Sequence, residues 1–240
     1  KVEATRAYGA RVELGGVTFD DAQAAARERA AETGAQFISA FDHPLIIAGQ
    51  GTLGLELLEQ VPDVEVVVVP VGGGGLISGV ALALKHANPA IEIVGVQATG
   101  CPSFLRSISA GAIEAAPGAS TIADGIAVKR PGDLTFPIVR DLVDRVVAVT
   151  DEEITGAISL LLTAHVVCEP APTCTAFAKP VTGDGVTRRR GRAAFYTFGA
   201  AGKMALRSKQ RGKPGRKLRD GATPGNSCLP QGARGLRHDF

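Results

Sequence analysis

Residues 66–79 read VVVVPVGGGGLISG, with four consecutive glycines between an unbroken apolar run and a helix-like stretch. A glycine loop joining a strand's carboxyl end to a helix N-terminus suits an anion: main-chain N–H groups face the loop, the helix dipole adds positive charge, and absent Cβ atoms permit close approach. A nucleotide-triphosphate loop would place Gly-Lys-Ser/Thr here; Ser78 is present, but no lysine precedes it. A dinucleotide site would end the following strand on an acid, and Gln97 stands there, with Glu92 at the strand's start. Two readings remain: a single phosphate held by backbone alone, or a tight turn without ligand. A turn needs one or two glycines, so four favour the anion.

Other chemistry-bearing residues are sparse. Cys101, Cys168, Cys174 and Cys228 show no CxxC or metal-type spacing and read as free thiols in a reducing compartment. The four histidines are scattered, and none pairs with a carboxylate or cysteine at ligand spacing.

The elements that must position the loop follow from periodicity. Val64–Val71 is a β-branched run, the pattern of a strand buried on both faces in a parallel sheet. Leu76–His86 reads as a helix and Ile91–Val96 as the next strand, which completes a βαβ unit. Before them, the chain's start reads as a helix end and a turn at Gly9, Val12–Leu14 as a strand and Gln36–Phe41 as another. Thr18 with Asp21 forms a capping-box pattern ahead of a helix over Ala22–Glu32. A helix from Pro44 to about Gln60 carries Gly49, Gly51 and Gly54, which implies close packing against another backbone. Further on come a helix over Ile138–Val143, a strand over Val146–Val149, and a second capping box, Thr150 with Glu153, opening a helix through Leu162. Strands alternate with helices, so the fold class is α/β with a largely parallel sheet.

Charge divides the chain near Pro170. Residues 1–170 hold 11 basic and 21 acidic side chains; residues 171–240 hold 15 and 3. The second segment mixes basic residues with Gly and Pro and has no sustained apolar period, so it is expected to be disordered. Its charge would support salt-sensitive, sequence-independent attachment to nucleic acid, but it carries few aromatic residues and no recognition motif, so a solvated tail is the stronger reading. No apolar run is long enough to span a bilayer. The chain begins at Lys1, within a helical pattern, and reads as a piece of something longer.

The stretch AGQGTLGLELLEQVPDVEVVVVPVGGGGLISGVALALK, with KVEATRAYGARVEL before it and STIADGIAVKRPGDLTFPIVRDLVDRVVAVTDEEI after it, resembles the threonine dehydratase (threonine ammonia-lyase) family. These are fold-type II, tryptophan-synthase-β-like pyridoxal 5′-phosphate enzymes, and the likeness covers roughly residues 1–170. It implies that residues 1–38 end a small domain, that 39–170 form part of the large cofactor-binding domain, and that 171–240 are an unmatched tail. It also implies that Gly72, Gly73, Gly74, Gly75 and Leu76 wrap the cofactor phosphate. Asp124 and Gly125 would border cofactor and substrate, and Glu169 would lie near the cofactor ring. The implied reaction converts L-threonine, or L-serine, to a 2-oxo acid and ammonia in a cytoplasmic homo-oligomer.

The sequence also departs from that family. The S-x-K-x-R-G-A motif that carries the Schiff-base lysine and the S-x-G-N-H loop are absent; both would precede Lys1, so this chain alone is expected to be inert. The likeness dissolves near Ala171. Some relatives bind a divalent cation just after the strand Ile91–Val96, where this chain has Gln97 and Ser103, so no metal is expected. Serine racemisation and hydroxyaspartate dehydration on the same fold are the alternative reactions, and a non-catalytic fragment with an electrostatic tail is the alternative of another class.

Overall fold

The computed structural model describes residues 2–163 and 193–195 of the chain. Seven helices and four strands are described: α1 (Val2–Ala7), α2 (Phe19–Thr33), α3 (Pro44–Gln60), β1 (Val66–Pro70), α4 (Gly75–Ala87), β2 (Glu92–Ala98), α5 (Ser103–Ala110), α6 (Thr135–Leu142), β3 (Arg145–Val149), α7 (Asp151–Thr163) and β4 (Ala193–Phe195). A single 3-10 turn, Asp124–Ile126, lies between α5 and α6. The strands pair in the order β3-β2-β1-β4, and every pairing is parallel. Val68 lies beside Val94, and Val96 beside Val147.

The valine run fixes β1 at the centre of this sheet. Val67, Val68 and Val69 are wholly buried. Alternation sends them to opposite faces. Val67, Val69, Val71 and Ile93 pack with Leu53, Leu57, Val80, Leu84 and Val139 beneath α3, α4 and α6. Val66, Val68, Val94 and Val96 pack with Ile126, Ile154, Ala157 and Leu161 on the α7 side. Each such valine contributes about 1.5–2 kcal/mol from burial.

The glycines of α3 pack as their positions imply, with one exception. A Cβ on Gly54 would lie 2.8 Å from the Ala83 Cβ, and one on Gly51 would lie 3.2 Å from the Gly79 carbonyl oxygen. In α4, a Cβ on Gly79 would meet the Ile47 carbonyl oxygen and sit 2.5 Å from the Gly51 nitrogen. The two helices therefore touch backbone to backbone. A Cβ on Gly49 would meet nothing within 4 Å.

Both capping boxes form. Thr18 Oγ1 accepts the Asp21 N–H while Asp21 accepts the Thr18 N–H. The Thr18 N–H donating to the Asp21 carboxylate is the chief cause that holds that carboxyl below its ordinary value. Thr150 Oγ1 accepts the Glu153 N–H at 3.2 Å, and Glu153 accepts the Thr150 N–H at 2.7 Å. On the far edge of the sheet, Lys85 Nζ donates to the carbonyls of Pro89 and Ile91 and to Asp144 at 2.8 Å. Asp144 also accepts the Ile93 N–H at 2.7 Å, and so joins α4 to β2 and β3.

Three expectations change. Val12–Leu14 and Gln36–Phe41 form no strand. Their apolar residues suit a sheet, but neither segment meets a ladder partner among the described residues, and an extended segment becomes a strand only by pairing. Disorder is expected throughout residues 171–240, yet Ala193–Phe195 form β4 beside Val66–Val68. The remainder of that segment lies outside the described residues. Helix α5 has no counterpart among the sequence-based expectations.

Candidate functional site

The glycine loop lies where β1 ends and α4 begins, at the carboxyl edge of the parallel sheet, the usual ligand position in open α/β folds. Gly74 is the N-cap of α4 and has φ of +94°, a left-handed conformation that favours glycine. Ser78 N–H donates to the Gly74 carbonyl as the first bond of the helix. Gly75, Leu76 and Ile77 precede that bond, so their N–H groups have no intrahelical acceptor. Among the described residues, no protein acceptor engages the N–H groups of Gly74, Gly75 or Leu76.

Each glycine is also required by its neighbours. A Cβ on Gly72 would lie 3.0 Å from Ile126 Cα. On Gly73 it would enter the Phe41 ring, on Gly74 it would sit 2.5 Å from the tip of Phe104 and 2.8 Å from Thr135, and on Gly75 it would sit 2.8 Å from Phe41 Cβ. Protein walls therefore press on the loop from several sides. Side chains are missing because the loop is packed between those walls, and the consequence is a row of bare amides.

Those amides border a pocket of about 390 Å³, lined by Gly72–Leu76, by Phe19, Ala40, Phe41, Gln50 and Pro70, and by residues 124–128. Asp124 and Gly125 thus share the pocket with the loop, although Asp124 lies 48 positions beyond Leu76. The Asp124 carboxylate accepts the Gly125 N–H at 2.9 Å and is exposed. A second carboxylate anchors this turn: Asp151 accepts the Thr121 hydroxyl at 2.5 Å and the Ile122 N–H at 3.1 Å. Glu169 lies outside the described residues.

The lining carries no cationic side chain among the described residues. An anion here would be balanced by amides and the α4 dipole. Phe41, Leu76, Ile126 and Val128 supply apolar walls of the kind that shield a flat ring from water. The donor set and shape fit the phosphate and ring of pyridoxal phosphate.

Gln97, expected at the place of a metal-ligating acid in some relatives, is wholly buried. Its Oε1 accepts the N–H groups of Phe104 and Leu105, and its Nε2 donates to Val71 O and Ser103 Oγ. It caps α5. Among the described residues, no group of three or more His, Cys, Asp or Glu could hold a metal ion. Cys101 is a buried free thiol, and burial pushes its pKa up, away from a reactive thiolate.

Sequence reasoning missed Asp42, Thr135 and Asp151, whose bonds tie the site's segments to distant elements. A glycine-rich loop at the carboxyl edge of a parallel sheet, facing an apolar slot, suits an anionic group carried on a flat ring. The sequence profile described as "Pyridoxal-phosphate dependent enzyme" matches residues 1–185, and the chain belongs to that family. The chain is 54% identical over 172 residues to the L-threonine ammonia-lyase of Thermotoga maritima, covering 71% of this chain and 43% of that protein. It is 45% identical over 172 residues to the catabolic L-threonine dehydratase of Escherichia coli K12, covering 71% of this chain and 52% of that one. The chain spans about half the length of the curated relatives it matches.

Among solved structures, the crystal structure of a T.th. threonine deaminase superposes with a TM-score of 0.71 at 39% identity, over 76% of this chain and 61% of that one. Maize serine racemase superposes at 0.72 with 37% identity, over 80% and 59%. The fold is therefore the tryptophan-synthase-β-like type inferred from the sequence.

Proposed function

We propose that this chain is the cofactor-holding centre of an L-threonine ammonia-lyase, which converts L-threonine, and L-serine as a second substrate, to a 2-oxo acid and ammonia. The observation that supports it is the convergence on one pocket of the bare-amide loop, Gly72–Leu76, and the turn Asp124-Gly125. The threonine ammonia-lyases and dehydratases at 45–54% identity indicate the reaction.

Bound pyridoxal phosphate supplies an electron sink for the pair released at the substrate's α-carbon. In this reading the chain's own residues bind and orient. The N–H groups of Gly73, Gly74, Gly75 and Leu76 hold the phosphate, and the α4 N-terminus adds its dipole. Phe41, Leu76 and Ile126 keep water from the ring plane. Asp124 and Gly125 border the substrate side. No lysine lines the pocket among the described residues, so the chain by itself is proposed to bind cofactor without turnover. The intact protein is proposed to be a cytoplasmic homo-oligomer.

A hybrid enzyme tests this reading. Residues 1–163 replace the matching stretch of the Thermotoga maritima relative, and 2-oxobutanoate and D-serine are both measured. Formation of 2-oxobutanoate from L-threonine supports the proposal. A folded hybrid that binds pyridoxal phosphate but racemises serine instead, or does neither reaction, contradicts it.

A further inference from the structure

The amides of the loop must face the pocket for the proposed site to work, and something must turn them. The bonds around Gly73 show what does. The Gly73 carbonyl oxygen accepts the Thr135 hydroxyl at 2.7 Å, and the same hydroxyl oxygen accepts the Gly132 N–H at 3.1 Å. Thr135 is wholly buried and does not line the pocket. A trans peptide points its C=O and N–H in opposite directions. Holding the Gly73 carbonyl toward Thr135 therefore turns the Gly74 N–H away from Thr135, and Gly74 is one of the residues that line the pocket.

Thr135 is itself held from 93 residues away. The Asp42 carboxylate accepts three consecutive N–H groups: Asp133 and Leu134, each at 2.9 Å, and Thr135 at 3.2 Å. Asp42 is steadied in turn by its own N–H, which donates to the buried Ser39 hydroxyl at 2.9 Å. A Cβ on Gly132 would run into the Asp42 carboxylate, so that close approach also depends on a glycine. The connection runs from Asp42 through the start of α6 and the Thr135 hydroxyl to the Gly73 carbonyl.

We propose that Thr135, set by Asp42, is the positioning residue that aims the Gly74 amide at the phosphate of the cofactor. This rests on the proposed anion site and adds the residues that orient it. Neither side chain lines the pocket.

The test is a pair of equilibrium-dialysis titrations of the full chain, with pyridoxal 5′-phosphate and with pyridoxal, alongside far-ultraviolet circular dichroism. Thr135→Val keeps the shape and deletes the hydroxyl. It should weaken pyridoxal 5′-phosphate about tenfold, the scale of one buried hydrogen bond, and leave pyridoxal unchanged. Thr135→Ser should restore the phosphate preference. Asp42→Asn should weaken pyridoxal 5′-phosphate about threefold, because one of its two acceptor oxygens becomes a donor.

If folded Thr135→Val keeps the wild-type phosphate preference, the positioning role is wrong while the site stands. If both Thr135→Val and Asp42→Asn lose the fold, the residues serve the fold rather than the loop, and the proposal fails. If the wild-type chain shows no preference for pyridoxal 5′-phosphate over pyridoxal, the anion site fails and takes the positioning role with it.

Discussion

Residues 1–38 and the seam between α3 and α4 are built on opposite plans. Helices α1 and α2 bury no residue at all. Helix α2 instead turns Ala22, Ala25, Ala26 and Ala30 toward an open groove also lined by Arg11, Arg29 and Phe37. Caps and short-range contacts order most of it: a capping box at Thr18, a left-handed glycine at Gly34, and Arg27 over the Phe37 ring at 4.3 Å, with Phe19 at its start reaching the Phe41 ring. The seam is non-local. Gly51, Gly54 and Gly79 bring α3 and α4 into backbone contact, and that contact seats the glycine loop between Phe41 and Thr135. A region held by caps tolerates change at its surface; a region held by interlocked backbones does not, and the site is built on the latter.

Substitutions should expose that difference, beginning with the largest effect. Gly79→Ala puts a methyl group against Ile47 O and the Gly51 nitrogen. It should cost about 3 kcal/mol or more, on the scale of overpacking in a core, read as a lowered urea midpoint. A midpoint within experimental error of the wild type would show that the seam can open without penalty.

Acid should act next where Asp144 joins α4 to β2 and β3. Burial pushes the Asp144 carboxyl up, but the Lys85 hydrogen bond, the Ile93 N–H and the Lys85 charge together hold it below its ordinary value of 3.8. A depressed folded pKa stabilises the protein above the unfolded pKa, near 4, and that contribution is lost as pH falls through the folded pKa. Because the Asp144 side chain is 42% exposed, the pair contributes only about 0.5–1 kcal/mol. Asp144→Asn should therefore lower stability by that amount at pH 7 and flatten the acid limb below about pH 4. An unchanged acid limb in stability-against-pH curves would remove Asp144 from the account.

The smallest changes sharpen the contrast within one helix and between regions. Gly49→Ala, with open space around its new methyl, should stabilise the chain by about 0.5–1 kcal/mol. Ala25→Ser on the exposed face of α2 should stay within about 0.5 kcal/mol of zero. Paired thermal melts decide both, and a destabilising Gly49→Ala would mean that α3 packs on more than one side.

What is legible in the sequence follows the same division. Both capping boxes, the βαβ unit and the buried β1 run are local patterns, and each is readable from spacing alone. The glycine loop stands out because four consecutive glycines exceed what a turn requires, and the walls that exclude their side chains are what the sequence does not show. Asp42 does not stand out: in FDHP it lies two residues before a helix-opening proline, and nothing local signals a distant partner. In the structure His43 caps α3, with Nδ1 accepting the Leu45 N–H, while Asp42 reaches across to α6. The TIADG motif draws attention to Asp124 and Gly125. Its Thr121 bonds Asp151, thirty residues on, which no local pattern signals. The strands expected at Val12–Leu14 and Gln36–Phe41 fail for the same reason, since a ladder depends on a partner that the segment itself does not encode.

The most direct measurement of the central claim is a 1H–15N correlation spectrum of the full chain as pyridoxal 5′-phosphate is added, with pyridoxal as the control. If the loop grips the phosphate through its main chain, the amide resonances of Gly73, Gly74, Gly75 and Leu76 will shift with pyridoxal 5′-phosphate and stay in place with pyridoxal. If those four resonances stay still while others move, or if both compounds shift them alike, the glycine loop is a packed turn and not the phosphate site.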